Sequence, residues 1–434
     1  MEKNNKIRPK NSSMDKILIK RIQTHISHYF SSVAGMTRPE ARCLRDMATG
    51  ILKSKTVLVN RIAASLREPL RLKDVCKRLY AQYLKDGYAE RVRWTHLATA
   101  CKGVSKRDFI VMDGTDIQKK CAKYMDGLEL VKDGDTDKIG LGYNLLNIKA
   151  INGHGEVAPL LSKAYSYEMG ALSSNNEIKK AVAEVREHLG DRGTWVYDRQ
   201  GDCGILKDFF FTECGQCILR LKANTMAMYK GKNIKVSQLA KGMELPMEQR
   251  VVRTKKNKQV VELYDIGAVP VEVTAKGKAH RLWLVATRNK RHGGMCHLLA
   301  KAPADMETAI EVARWAFKGY GARWKVEECH RHIKQQYGLE DVQIKTWTGL
   351  QSMLAILTVA MYVVYKGTRA MHMDLLLDSG YNYLNKNVPR ELCNFIYYKI
   401  GKVISNLLTP VRMRWKPTNP GPIVESGQMA LAFN

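Results

Sequence analysis

The chain has 434 residues, enough for roughly two to four domains with sizeable apolar cores. A hydrophobic content of 45% and a charged content of 26% are ordinary for a globular protein, and no repeat or low-complexity block is evident. Against 42 Asp and Glu stand 71 Lys and Arg, a net charge of +29 that would repel itself unless a polyanion offset it. Nucleic acid is the leading partner, and charge alone leaves a ribosomal site or an anionic membrane surface open.

Residues 1–105 read as helical. Residues 1–107 hold 24 basic and 8 acidic side chains. Within them GMTRPEARCLRDMATGILKSKTVLVNRIAASL contains two amphipathic runs around a break near Ser54. That suits a helix-turn-helix-like pair whose second helix carries Asn60 and Arg61, although many helical pairs look like this without touching DNA. The opening MEKNNKIRPKNSS has no apolar signal region, and the ten cysteines are scattered without a disulfide framework. Reduced thiols in a cytoplasmic or nucleoid setting are expected.

From Arg107 the texture changes. RDFIVMDGTDI, LGYNLLNIKAI and VAPLLSKAYS predict three neighbouring strands. SNNEIKKAVAEVREHL predicts a helix, TWVYDRQ a strand, GILKDFFFTEC a short helix and CILRLKAN a strand, so 106–228 reads as the first part of an α/β core. Cys214 and Cys217 form a CxxC with no second pair at zinc spacing. Residues 229–300, with VVRTKKNKQVVELYDI, VPVEVTAK and HRLWLVATRNK, read as a β-rich insertion. The core resumes over 301–375, where Leu350 to Tyr365 reads as a buried helix too short for a comfortable membrane span. The C-terminal region, 376–434, would serve dimerisation or DNA contact and ends in a basic VRMRWKPTNPGP and a Pro/Gly-rich tail.

Near the start of that second core segment lies YGARWKVEECHRHIK. At about 100° per residue, Tyr320, Arg323, Glu327, Arg331 and Lys334 fall within a stripe roughly 80° wide, and Val326, Cys329, Ile333 and Tyr337 fall opposite. A solvated helix with i,i+4 salt bridges is the plain explanation. Two further acids sit where apolar strands run out into polar sequence, Asp113 after FIVM and Asp198 after WVY. An Asp after a strand more often turns the chain or caps a helix, and Asp116 and Asp202 lie close by. Three carboxylates brought together repel one another unless a divalent cation lies between them, and oxygen-only ligands suit Mg²⁺ or Mn²⁺.

VMDGTDI, VYDRQGD and Y-x2-R-x3-E-x6-K at Tyr320, Arg323, Glu327 and Lys334, with RW before the glutamate, together resemble the DDE transposases of the insertion-sequence-four family. The resemblance runs from about Asp108 to Lys334. It implies an α/β fold with an RNase H-like mixed sheet flanked by helices, a β-rich insertion and a helical N-terminal DNA-binding domain. The stretch from Asp198 to Glu327 leaves room for that insertion. Asp113, Asp198 and Glu327 would be the catalytic, metal-binding triad, holding two Mg²⁺ or Mn²⁺ ions. Tyr320, Arg323 and Lys334 would contact phosphates near a transposon end. Arg331 on the same stripe and Arg220 in ILRLK are further candidates for DNA contact.

Some family members place a Trp beside a flipped base, just before the strand leading out of the insertion. Here that run is GGMCHLLAK, without one. Trp283 in RLWLVATRN is the substitute candidate, against its plainer role as a buried strand residue. The resemblance further implies a prokaryotic enzyme acting as a homodimer on double-stranded DNA, both transposon ends and target. A transposase-derived, non-catalytic regulator and a nuclease without strand transfer are the alternatives.

Overall fold

The computed structural model of the chain describes residues 13–31, 35–122, 124–134, 136–255, 258–370 and 397–411. The basic tail and most of the region 376–434 lie outside the described residues.

Among those residues, twelve strands form one mixed sheet flanked by eleven helices. The first six strands are β1 (Phe109–Gln118), β2 (Glu129–Lys132), β3 (Ile139–Ile151), β4 (Val157–Tyr165), β5 (Thr194–Tyr197) and β6 (Cys217–Arg220). The others are β7 (Met226–Tyr229), β8 (Lys232–Lys235), β9 (Met247–Lys255), β10 (Lys258–Ala275), β11 (Lys278–Asn289) and β12 (Met295–Lys301). β1 pairs antiparallel with β3, which pairs antiparallel with β4, while β5 and then β6 run parallel to β1. The spatial order of this part is therefore β4-β3-β1-β5-β6, with β2 also on the edge of β3.

The sequence accounts for this centre. FIVM is apolar without a break because β1 is buried on both faces. Successive side chains of a strand point to opposite faces, so Phe109 and Val111 enter one apolar core and Ile110 and Met112 the other. The parallel β5 needs a crossover, supplied by α6 (Ser174–Leu189), whose first turn is closed by Asn176 N–H donating to Ser173 Oγ at 3.1 Å. Ile178, Ala181, Val182, Val185 and Leu189 give α6 one buried face. α7 (Gly204–Glu213) makes the next crossover to β6.

Beyond β6 the sheet continues. β12 pairs antiparallel with β6, β11 with β12 and β10 with β11, and β9 and the β7–β8 hairpin attach to β10. The segment expected as a β-rich insertion thus hydrogen-bonds directly onto the core sheet. The short α8 (Val236–Gly242) lies between its strands.

On the Phe109 face lies α9 (Ala309–Tyr337), a helix of 29 residues. A reciprocal capping box begins it, Glu311 N–H donating to Thr308 Oγ1 at 3.2 Å and Thr308 N–H to the Glu311 carboxylate at 3.1 Å; Gly338, at φ 60°, ends it in the left-handed region. Gly319 lets it lie close: a Cβ there would stand 2.5 Å from Ile218 Cδ1 and 2.6 Å from Phe109 Cε1.

The N-terminal helices are α1 (Ser13–Ser31), α2 (Arg38–Ser54), α3 (Val59–Ser65), α4 (Leu72–Tyr83) and α5 (Tyr88–Ala100). The break expected near Ser54 falls at Lys55, which adopts φ 52°. These helices share an apolar core with α10 (Trp347–Ala370) and α11 (Tyr397–Leu408). α10 is long and apolar enough to cross a membrane, yet 83% of its apolar window is buried inside the protein, which is how a core helix sits.

Candidate active site

Asp113 sits on β1 and Asp198 directly follows β5. The parallel register ends by pairing Val111 with Val196, and each acid lies two residues beyond that last pair, Asp113 still on β1 and Asp198 just past the end of β5. Their shared parity with Phe109 and Val111 aims Asp113 at the face covered by α9. Glu327 comes from α9, and Arg323, one turn earlier, joins the pieces. Its Nη1 donates to Asp113 Oδ1 at 3.1 Å, and its Nη2 donates to Glu327 Oε1.

Asp113 is only 7% exposed. Burial pushes its carboxyl up to about 6, against the pull of Arg323 and with the negative charges of Asp198 and Glu327 adding to the rise. Burial works against the charge on Arg323 in turn, but Asp113 and Glu327 outweigh it and hold the guanidinium above its ordinary value. The three acids therefore share one electrostatic environment with a single guanidinium lying between two of them.

Tyr320 completes the stripe. Arg220 Nη1 on β6 donates to its hydroxyl at 3.1 Å and stacks 5.7 Å from the ring centroid; Arg323 lies 6.0 Å from the same centroid. Two guanidiniums thus bracket one phenol beside the acids. Lys334 lies apart from this group, pairing with Asp116 at 3.5 Å and Glu340 at 3.1 Å. Arg331 is exposed and paired with Glu328. The stripe is therefore not the solvated face its charges suggest, since its first half faces the sheet. Of the side expected to be buried, Val326, Cys329 and Tyr337 are buried, and Ile333 is half-buried.

Asp202 is set apart from Asp198 by its bonds. It accepts from Lys222 N–H at 2.6 Å, from the Thr225 hydroxyl and from Lys207 Nζ at 2.9 Å. Burial opposes ionisation there, but these donors hold its carboxyl below the ordinary value, the mark of a structural acid. Asp198, by contrast, is half-exposed and accepts from Gln200 N–H at 2.9 Å as a helix cap. Asn60 and Arg61 are exposed on α3, outside this constellation. Trp283 is half-buried on β11, opposite Ala300 of β12 and Pro270 of β10. Cys214 and Cys217 are buried free thiols; burial pushes Cys214 up and Cys217 up to about 12, so neither is a ready thiolate.

Three polar residues near Asp113 escaped notice in the sequence. Asn147 on β3 is its direct cross-strand partner, and Lys149, two residues on, is 2% exposed. On α9, His330 Nδ1 stands 3.9 Å from Asp113 Oδ2. The signal was present in LNIKAI, where Asn and Lys alternate with apolar residues in an otherwise apolar strand.

The donor set suits a hard divalent cation, being three carboxylates with no thiol among them. Among the described residues, however, no three His, Cys, Asp or Glu side chains stand ready around one point. Arg323 spans Asp113 and Glu327, so cation binding would require its guanidinium to swing aside. No family model matches the chain, and a search of curated proteins finds no match either.

Proposed function

We propose that the chain is a DDE transposase like those of the insertion-sequence-four family, cutting transposon ends and joining them to target DNA. The observation that carries this is Asp113 on β1 beside Asp198 at the end of the adjacent parallel β5, with Glu327 on α9 joined to Asp113 through Arg323. Support also comes from the order β4-β3-β1-β5-β6, an antiparallel meander followed by two parallel strands, which is the arrangement expected of an RNase H-like core.

In this reading Asp113, Asp198 and Glu327 hold two Mg²⁺ or Mn²⁺ ions. Ions held there would supply water activation and stabilisation of a leaving 3′ oxygen for phosphoryl transfer. The protein's own groups position the DNA. Arg323, released from the carboxylates, and Arg220 offer planar forks that grip phosphate by two bonds each, while Tyr320 holds both in place. Lys334 and Arg331 extend the cationic path along α9, and exposed Asn60 and Arg61 on α3 contact the transposon-end DNA. The net charge of +29 supplies the phosphate attraction, and a homodimer in a prokaryotic cytoplasm, one subunit per end, is the working assembly.

The ion pairs of Arg323 with Asp113 and Glu327 favour a second reading, a transposase-derived DNA-binding regulator in which the guanidinium permanently replaces the metal. One experiment decides. Duplexes carrying the inverted repeats that flank the gene are incubated with protein and Mg²⁺, with and without target plasmid. Cleavage and joined product that vanish in Asp113→Asn, Asp198→Asn and Glu327→Gln, with end binding retained, support the transposase. Binding without cleavage supports the regulator, and cleavage without joining a nuclease.

A further inference from the structure

Behind Asp113, between β1, β3, β4 and the helices α9 and α10, lies a cavity of about 20 Å³. That is room for about one water molecule. Its walls include Asn147, Lys149, Ser162, His330 and Thr358. Three buried nitrogen atoms on this wall have no protein partner: Lys149 Nζ, Asn147 Nδ2 and His330 Nε2. Lys149 and Asn147 are 2% and 3% exposed, so bulk water does not satisfy them. Leaving such groups unpaired is unfavourable, most of all for a charge. Asn147 is oriented by the Ser162 hydroxyl, which donates to its Oδ1 at 2.8 Å, fixing the amide nitrogen as the free end.

The chemistry of the three nitrogens is complementary. Lys149 Nζ, as an ammonium, and Asn147 Nδ2 can only donate. His330 can accept at Nε2 if its proton is on Nδ1, the nitrogen 3.9 Å from Asp113 Oδ2. That distance is too long for a hydrogen bond, so the bond requires the two groups to draw closer. One water accepting from Lys149 and Asn147 and donating to His330 Nε2 satisfies all three at once.

We propose that Lys149, Asn147 and His330 enclose one ordered water, and that this chain holds the His330 imidazole with its Nδ1–H turned to Asp113 Oδ2. Lys149 and His330 are then positioning residues for the acid. They restrain Oδ2 from behind the site, so the carboxylate keeps its orientation when Arg323 releases Oδ1. This role rests on the reading of Asp113 as a metal-binding acid. Outer partners of this kind set ligand geometry, and their loss typically weakens metal binding by about 10–100-fold.

The test has two arms. In the first, ¹⁵N resonances of ring-labelled histidine in the full-length, metal-free, DNA-free protein report the His330 tautomer, the signal being assigned by its loss in His330→Asn. Nδ1–H is expected, and a ring protonated on Nε2 alone overturns the proposal. In the second, calorimetry measures Mn²⁺ binding to variants shown to be folded by their thermal transitions. His330→Leu and Lys149→Met should weaken binding by about 10-fold or more. His330→Asn, whose amide nitrogen occupies the place of Nδ1, should stay within about threefold of wild type. Wild-type affinity in His330→Leu, or failure of Asn to rescue, overturns it. Should Lys149→Met not fold, the His330 variants and the tautomer decide. Unchanged Mn²⁺ binding in Asp113→Asn sinks the metal reading by itself and leaves the tautomer to judge the water chain.

Discussion

Arg323 Nη1 lies 3.1 Å from Asp113 Oδ1 although 210 residues separate them, and the same guanidinium reaches Glu327. A cation of the protein's own thus lies against two of the three acids. Arg323→Gln removes that competitor. In the absence of DNA it should bind Mn²⁺ about tenfold more tightly than wild type, a gain of about 1.4 kcal/mol. Calorimetry gives the comparison directly; weaker binding would mean that Arg323 organises the acids instead of competing for them.

The raised Asp113 fixes a pH dependence. Its folded value of about 6 exceeds the ordinary 3.8, so the fold favours the neutral acid. The contribution to stability is fully present below pH 3.8 and is lost as pH rises through about 6. Asp113→Asn should accordingly stabilise the metal-free protein above pH 7, by on the order of 1–3 kcal/mol, with little effect near pH 4. Denaturant unfolding at the two pH values tests the sign.

Acid sensitivity should come from elsewhere, His96 in particular. Its Nε2 donates to the Pro159 carbonyl at 2.8 Å, so Nδ1 accepts from the Tyr29 hydroxyl at 2.6 Å. Burial lowers its value from 6.5 to about 4, with the Pro159 bond pulling the other way. Its contribution is present above pH 6.5 and lost as pH falls toward 4. His96→Gln should flatten the fall in melting temperature between those limits, at some cost in stability at neutral pH.

Packing transmits to the site through Gly319. A methyl group there would meet Ile218 and Phe109 at under 3 Å, pushing α9 off the sheet. Gly319→Ala should cost about 1–3 kcal/mol and move Glu327 away from Asp113. Cleavage should then fall far more than end binding, as gel-shift and cleavage assays on the same duplex would show.

Phosphate contacts have a signature in salt. Arg61→Ala should weaken end binding and reduce the slope of log affinity against log salt by about 1, the loss of one phosphate contact. An unchanged slope with altered sequence preference would place it on a base edge.

The positions of the acids were legible because a fully buried strand announces itself: FIVM and WVY can end only where polar sequence begins. The spacing from Tyr320 to Lys334 likewise located one face of α9. Which way that face points was not legible, because helical spacing says which residues are neighbours and nothing about what lies opposite. The i,i+4 pair of Arg323 with Glu327 was legible from the spacing, whereas the bond of Arg323 to Asp113 was not. The same limit hid Lys149 and Asn147. Their alternation marks one face of β3, but only the register with β1 sets Asn147 opposite Asp113. The strands after Tyr229 were legible as strands, whereas their attachment to β6 depends on pairing partners distant in sequence.

That attachment has a mechanical consequence. From β10 through β11 and β12 to β6, the backbone is laced edge to edge, so the outer ribbon and the strand bearing Arg220 form one stiff plate. On the proposed reading, a duplex pressing on the far ribbon would shift the guanidinium that clasps Tyr320 along with it, because the pairing from β10 to β6 is continuous.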